Sequence, residues 1–132
     1  MLACPDLPLC QGALVPPMDF AHGFTGWREL GRTGAGELIP FQALVAIHWV
    51  HRVFALAVFV LLGWLAARMW KRRGLARPAR ILLGLLMLQL LTGTSNILFG
   101  WPLLGAVLHS GGAALLVALL VVINHRIAHA SR

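Results

Sequence analysis

The sequence contains few charged residues and very few acids. Charged side chains make up 11% of its 132 residues, whereas hydrophobic side chains make up 59%. Asp and Glu together number four, and all of them lie within the first 40 residues. Soluble globular domains carry about 25% charged residues. We therefore predict a single-domain integral membrane protein.

The motifs of soluble enzymes are missing as well. No Ser/His/Asp or Cys/His catalytic set, carboxylate dyad or phosphate-binding loop is recognisable in the sequence. The net charge of +7 raises the question of nucleic acid. However, six of the eleven basic residues lie in residues 68–80 and two in the C-terminal tail, an asymmetry typical of membrane orientation signals. We expect no nucleic-acid partner.

Three long apolar stretches predict three transmembrane helices. Each is close to the roughly 20 residues that cross a bilayer, where a lone segment satisfies its backbone groups only as a helix. The fold class is therefore all-α. The predicted spans are residues 41–67, 81–99 and 103–123, with an N-terminal segment 1–40, a basic loop 68–80 and a tail 124–132.

The basic loop and tail predict the orientation. Lys and Arg collect on the cytoplasmic side, so residues 1–40 are expected on the extracytoplasmic side and the C-terminus in the cytoplasm of a multi-pass protein of the cell (inner) membrane. In the outer segment, Phe20, Phe24 and Trp27 recur at i, i+4 and i+7. This spacing predicts an amphipathic helix on the membrane surface, although Gly23 and Gly26 weaken it.

Histidines inside two predicted spans suggest a cofactor. His48 and His51 lie roughly 10 and 15 Å from the outer end of the first span, and His109 lies roughly 10 Å into the third, at 1.5 Å per residue. Ionisable groups at such depth are costly and usually functional. One imidazole from each helix would suit the two axial positions of a haem iron. The alternative is that these histidines only form hydrogen bonds.

The neighbours of these histidines leave several roles open. His48 and His51 are three residues apart and share a helix face, so either is a candidate ligand while the other contacts the cofactor. Arg52 is suited to a cofactor carboxylate, or it reaches the headgroups. Small residues surround His109 and suit either a flat macrocycle or tight helix packing; they are Gly105, Ala106, Gly112 and Ala113.

Cys4 and Cys10 lie in the segment predicted to face the oxidising side. A disulfide across this short loop is our first interpretation. A redox-active pair is the second. A zinc site is the third, because only His22 is near in sequence and four ligands are needed.

The sequence also has Gln89, Gly93 and Asn96 in the second span, and Pro102-Leu103 ahead of Leu108-His109 at the third. Together with Cys4–Gly12 and Ile47–Arg52, these motifs resemble the C-terminal half of haem A synthase. The resemblance implies oxidation of a haem O methyl group to the formyl group of haem A, for use in haem-copper terminal oxidases. It also implies two four-helix halves, of which the C-terminal one binds haem B and the other the substrate haem O.

By this resemblance His51 and His109 are the axial ligands of haem B, with His48 and Arg52 beside the cofactor. It also implies haem O synthase and terminal oxidase assembly as partners, besides the lipid bilayer. We expect a fragment that lacks the N-terminal half and the helix before the cysteines, and that is inactive alone. The alternatives are a cytochrome b-type anchor of an electron-transfer complex, which needs no cysteine loop, and a structural protein without haem.

Overall fold

The computed structural model describes residues 3–72 and 74–130, except for the side chain of residue 130. Within these residues all regular elements are helices, and pairing between extended segments is limited to two isolated bridges, Cys10 with Ala13 and Arg32 with Leu38. The all-α prediction is confirmed. The helices are α1 (Phe20–Gly23), α2 (Phe41–Trp70), α3 (Ala76–Leu98) and α4 (Leu103–Ala130).

Helices α2, α3 and α4 are each long and apolar enough to cross a membrane. They contain 30, 23 and 28 residues, so they extend beyond the predicted spans, chiefly towards the basic loop and the tail. A helix need not end where the hydrocarbon ends, and the membrane boundaries themselves stay a prediction. Pro40 and Pro102 directly precede α2 and α4, because proline is tolerated at a helix start but cannot continue a helix from upstream.

The chain divides into two compact units, Met1–Leu56 and Ala57–Arg132. In the first, the segment before α2 packs on the first turns of that helix. The buried centre contains the two cysteines, and Gly23 lies so close to α2 that a Cβ would stand 3.1 Å from the Ala43 carbonyl oxygen. The core residues are Ala3, Cys4, Cys10 and Val45, with Met18 and Trp49 packed against them.

The second unit contains the C-terminal part of α2 and the antiparallel α3–α4 hairpin. Two apolar clusters hold the three helices together; they comprise Ala66, Leu82, Leu86 and Leu116, and then Met69, Ala79 and Ile123.

The turn between α3 and α4 is closed by backbone hydrogen bonding. Gly100 and Trp101 both have positive φ, 65° and 71°, and the Trp101 amide donates to the Asn96 carbonyl over 2.8 Å. This is the Schellman arrangement that ends many helices. It sets the register in which α4 returns along α3.

The predicted surface helix is wrong beyond its first turn. α1 contains four residues; the rings of Phe20 and Phe24 stack 6.1 Å apart, but Trp27 lies outside the helix and is almost fully exposed. Gly23 is buried against α2, and α1 ends there. Gly26 has a low helix propensity, which disfavours a helix through the following residues. Tertiary packing therefore overrides the periodic spacing of the aromatic residues.

Candidate functional site

Arg52 binds the backbone of the loop that contains both cysteines, residues 4–12, here called the Cys loop. Its Nη1 donates to the carbonyl oxygens of Asp6 and Leu9 over 2.9 and 2.8 Å. Its Nη2 donates to the Cys4 carbonyl over 2.7 Å. Hydrogen bonds from an ionised donor are stronger than neutral ones. One side chain of α2 thus satisfies three carbonyls of a loop more than 40 residues earlier.

His48 contacts the same loop. Its Nδ1 accepts a hydrogen bond from the Cys4 backbone amide over 3.2 Å. A ring nitrogen that accepts carries no hydrogen, so the proton of this neutral imidazole lies on Nε2. His48 and Arg52, one helical turn apart, therefore both hold the Cys loop.

The Cys loop is also ordered from within. Cys4 and Cys10 are joined by a disulfide, which agrees with our first interpretation of the pair. The Asp6 carboxylate accepts the amides of Gln11 and Gly12 over 2.9 and 2.8 Å. These bonds, above all the one from Gly12, hold the pKa of Asp6 below its usual value, and the positive charge of Arg52 adds to the effect.

The zinc interpretation finds no support in the part of the chain that the structure describes. There, no group of three or more His, Cys, Asp or Glu side chains comes together. The nearest histidine in sequence, His22, instead has its Nδ1 2.6 Å from the carboxylate of Asp19. The His22 backbone amide, followed by its side chain, lowers the pKa of Asp19.

His109 lies in the second unit, partly buried on α4, and α3 orients its ring. Its Nδ1 is 3.1 Å from the hydroxyl oxygen of Thr92. That hydroxyl has one proton and donates it to the Leu88 carbonyl over 2.7 Å, so it accepts from His109 Nδ1–H. The lone pair of the imidazole is then on Nε2. Histidines that bind metals are commonly held in this way through the other ring nitrogen.

Two further residues of α3 define the position of His109. Gly93 lies under the ring, because a Cβ there would stand 3.0 Å from His109 Cε1. The side-chain amide of Gln89 donates to the His109 carbonyl over 3.0 Å. Gln89 and Thr92 are three residues apart and share a face of α3. This spacing is visible in the sequence, whereas their common contact with His109 is a feature of the structure alone.

The small residues around His109 do not all serve the same purpose. A Cβ on Gly112 would collide with the Gln89 amide, and one on Gly105 would stand 2.7 Å from Asn96 Oδ1. Both glycines are therefore required for close packing of α4 on α3. Ala106 is partly buried and Ala113 is exposed. The alternative role of the small residues, to provide a face for a flat macrocycle, therefore remains a prediction for these two alanines.

The structure thus divides the predicted site residues into two groups. His48, Arg52 and the cysteines come together in the first unit, where His51 has an exposed side chain on α2. His109 is positioned by α3 in the second unit. The donor chemistry fits a haem ligand at His109, where the tautomer leaves Nε2 as the basic nitrogen, and it does not favour His48, whose Nδ1 lone pair already accepts from Cys4.

Comparison with known protein families decides the relationship. The model of the cytochrome oxidase assembly protein family (COX15-CtaA) matches residues 1–121. The chain belongs to this family. Membership of the cytochrome oxidase assembly protein family and the three long apolar helices together place the chain in a membrane.

Curated members of the family that resemble the chain are named heme A synthase. The protein of Shewanella oneidensis is 36% identical over 130 residues, which cover 98% of this chain and 39% of that protein. The Caulobacter protein is 38% identical over 117 residues, 86% of this chain and 31% of that protein. The Paracoccus denitrificans protein is 31% identical over 130 residues, 86% of this chain and 33% of that protein. The chain therefore spans between 31% and 39% of the length of these relatives. No solved structure matches it.

Proposed function

We propose that the chain is the part of a haem A synthase that binds haem B. The complete protein would be an oxidoreductase that converts a methyl group of haem O into the formyl group of haem A, for haem-copper terminal oxidases. The observation that carries this proposal is the 36% identity to a heme A synthase over 98% of the chain. A cytochrome b-type anchor is not favoured, because such an anchor has no use for the Cys loop.

His51 and His109 are the proposed axial ligands. The Nδ1–H tautomer of His109 supports its part, since it directs the Nε2 lone pair away from the bond to Thr92. On α2 we propose His51, the histidine that the resemblance assigns, and the bond from the Cys4 amide to His48 Nδ1 argues against His48. When bound, haem B would supply one-electron transfer.

Arg52 and His48 have a different task in this proposal. They hold the Cys loop against α2, so that the loop keeps one conformation at the outer end of the helix. The expected bond from Arg52 to a haem propionate stays a prediction. Three of the five N–H hydrogens of Arg52, both of Nη1 and one of Nη2, go to loop carbonyls. The buried Nε–H makes no hydrogen bond within the described residues, so a propionate would have to use Nε–H and the second hydrogen of Nη2.

The proposed orientation follows from charge. The basic residues between α2 and α3 and near the end of α4 lie at the cytoplasmic side, and the Cys loop lies outside, where a disulfide persists. Haem O synthase and the terminal oxidase assembly machinery are the proposed partners. These partners, like the reaction, belong to the complete protein.

The test is the identity and the ligation of bound haem. The chain is purified from membranes, and its haem is extracted and identified, with absorption spectra of the oxidised and reduced forms. We expect haem B with a low-spin spectrum that His109→Ala abolishes, whereas His125→Ala, which alters a histidine of the tail, leaves it unchanged. A low-spin spectrum that survives His109→Ala would overturn the ligand assignment, and absence of haem B from the wild-type chain would overturn the proposal.

A further inference from the structure

A groove lies between α3 and α4 at the end of the hairpin away from the Gly100 turn. It has a volume of about 270 Å³, and an arginine from each helix lines it, Arg77 near the start of α3 and Arg126 near the end of α4. The rest of the lining is apolar: Pro78, Ile81, Leu119, Val122 and Ile123. The groove thus combines two cations with a hydrocarbon wall.

The two arginines have no acidic partner in their own unit. The last acid in the sequence is Glu37, so the second unit contains no Asp or Glu at all. Both side chains are exposed, and Arg77 stands in the first turn of α3, where a positive charge opposes the helix dipole. An anion in the groove would relieve both conditions.

The position of the groove indicates which anion. α3 and α4 are long and apolar enough to cross a membrane, and the groove lies beside residues 81 and 123, where the sequence predicts that the two spans end. Basic pockets between transmembrane helices bind phospholipid headgroups. The apolar lining gives a surface for the first part of an acyl chain, which a small anion would leave uncovered.

We propose that this groove binds an anionic phospholipid. The phosphodiester pairs with Arg77 and Arg126, and an acyl chain lies along Ile81, Leu119 and Val122. Because each basic residue near a membrane surface strengthens the attraction for anionic lipid about fivefold, the two arginines together give about a 30-fold preference over a zwitterionic lipid. The site is independent of the proposed haem ligands.

The experiment measures binding of two lipids to the purified full chain in a non-ionic detergent. Phosphatidylglycerol and phosphatidylcholine with identical acyl chains are titrated, and the bound lipid is counted by native mass spectrometry. The variant is Arg77→Gln with Arg126→Gln. The matched control is Arg72→Gln with Arg80→Gln, which removes the same charge from basic residues that do not line the groove. Helical content is checked by circular dichroism.

We expect the groove variant to lose the preference for phosphatidylglycerol, about 30-fold, while the control retains most of it. Equal losses in both variants would show general attraction of charge and overturn the site. If the double variant does not fold, Arg126→Gln alone, at an exposed position near a helix end, should lose about fivefold. An unchanged preference in that variant would overturn the proposal.

Two further measurements address the apolar wall and the kind of anion. Val122→Trp fills the groove without changing charge and should weaken binding of phosphatidylglycerol; unchanged binding would contradict the proposal. Inorganic phosphate, at a concentration equal to that of the lipid, should not displace it, because phosphate makes no contact with the wall. Displacement would identify a simple anion site and overturn the assignment to a lipid.

Discussion

The apolar helices α2 and α4 both contain histidines, and the polar side chains of the two regions make different kinds of contact. Near the start of α2, His48 and Arg52 bond to backbone atoms of the Cys loop. On α4, His109 is oriented by side chains of a neighbouring membrane helix. The first arrangement fixes a polar segment on the N-terminal part of a helix, and the second orients one nitrogen of an imidazole. An ionisable residue in a membrane helix therefore does not by itself indicate a cofactor ligand.

The largest loss of stability is expected on substitution of Arg52, which makes three of the hydrogen bonds between α2 and the Cys loop. Arg52→Ala leaves three loop carbonyls without their donors, and we expect a loss of stability of about 2–4 kcal/mol in the first unit. Limited proteolysis of the Cys loop, measured against denaturant, would report it. Arg28→Ala is the control, because Arg28 also bonds to backbone carbonyls but lies outside the Cys loop. Equal protease resistance of the Arg52 variant and the wild type would contradict the role assigned to Arg52.

Adjacent glycines of α4 test the packing at His109. A Cβ on Gly112 collides with the Gln89 amide, whereas a Cβ on Gly111 meets nothing within 4 Å. We expect Gly112→Ala to destabilise the α3–α4 hairpin by about 1–3 kcal/mol through overpacking. Gly111→Ala should stabilise it by about 0.5–1 kcal/mol, since alanine has the higher helix propensity. Thermal unfolding in detergent measures both, and equal shifts would contradict the close approach of the helices.

A smaller effect is expected at Thr92, which accepts the hydrogen bond from His109. Thr92→Val keeps the shape but removes the acceptor, at a cost of about 1 kcal/mol. Thr92→Ser keeps the hydroxyl and is the matched control. We expect a changed midpoint potential of bound haem in the valine variant only, because the hydrogen bond tunes the basicity of a ligand imidazole. An identical potential in both variants would argue against a bond between Thr92 and His109.

The smallest effect is a pH dependence of the Cys loop. The pKa of Asp6 is lower in the folded chain than its usual value of 3.8. The stabilisation is therefore complete above about pH 4 and is lost as the pH falls through the folded pKa. Amide exchange at Gln11 and Gly12 should accelerate, relative to a neighbouring exposed amide, as the solution is acidified below that pH. In Asp6→Asn this additional change should disappear, and its persistence would show that another group is responsible.

The fold was predictable because hydrophobic runs of membrane length leave the backbone no alternative to the helix. The sequence also indicated that the histidines of the spans have a function, because ionisable residues are rare in membrane-spanning segments. The contacts of Arg52 were not, because its partners are backbone carbonyls 43 to 48 residues away, which leave no spacing signal. The surface helix failed at Gly23, whose burial against α2 is a tertiary effect.

The division of labour between His48 and His51 is the central claim, and one measurement tests it directly. The two histidines are three residues apart on α2, so each alanine variant removes one imidazole from the same helix and leaves the other in place. The reduced-minus-oxidised spectrum of the purified chain is compared for His48→Ala and His51→Ala. We predict loss of the low-spin haem signal in His51→Ala and its retention in His48→Ala. The opposite pattern, with the signal lost only in His48→Ala, would contradict the account.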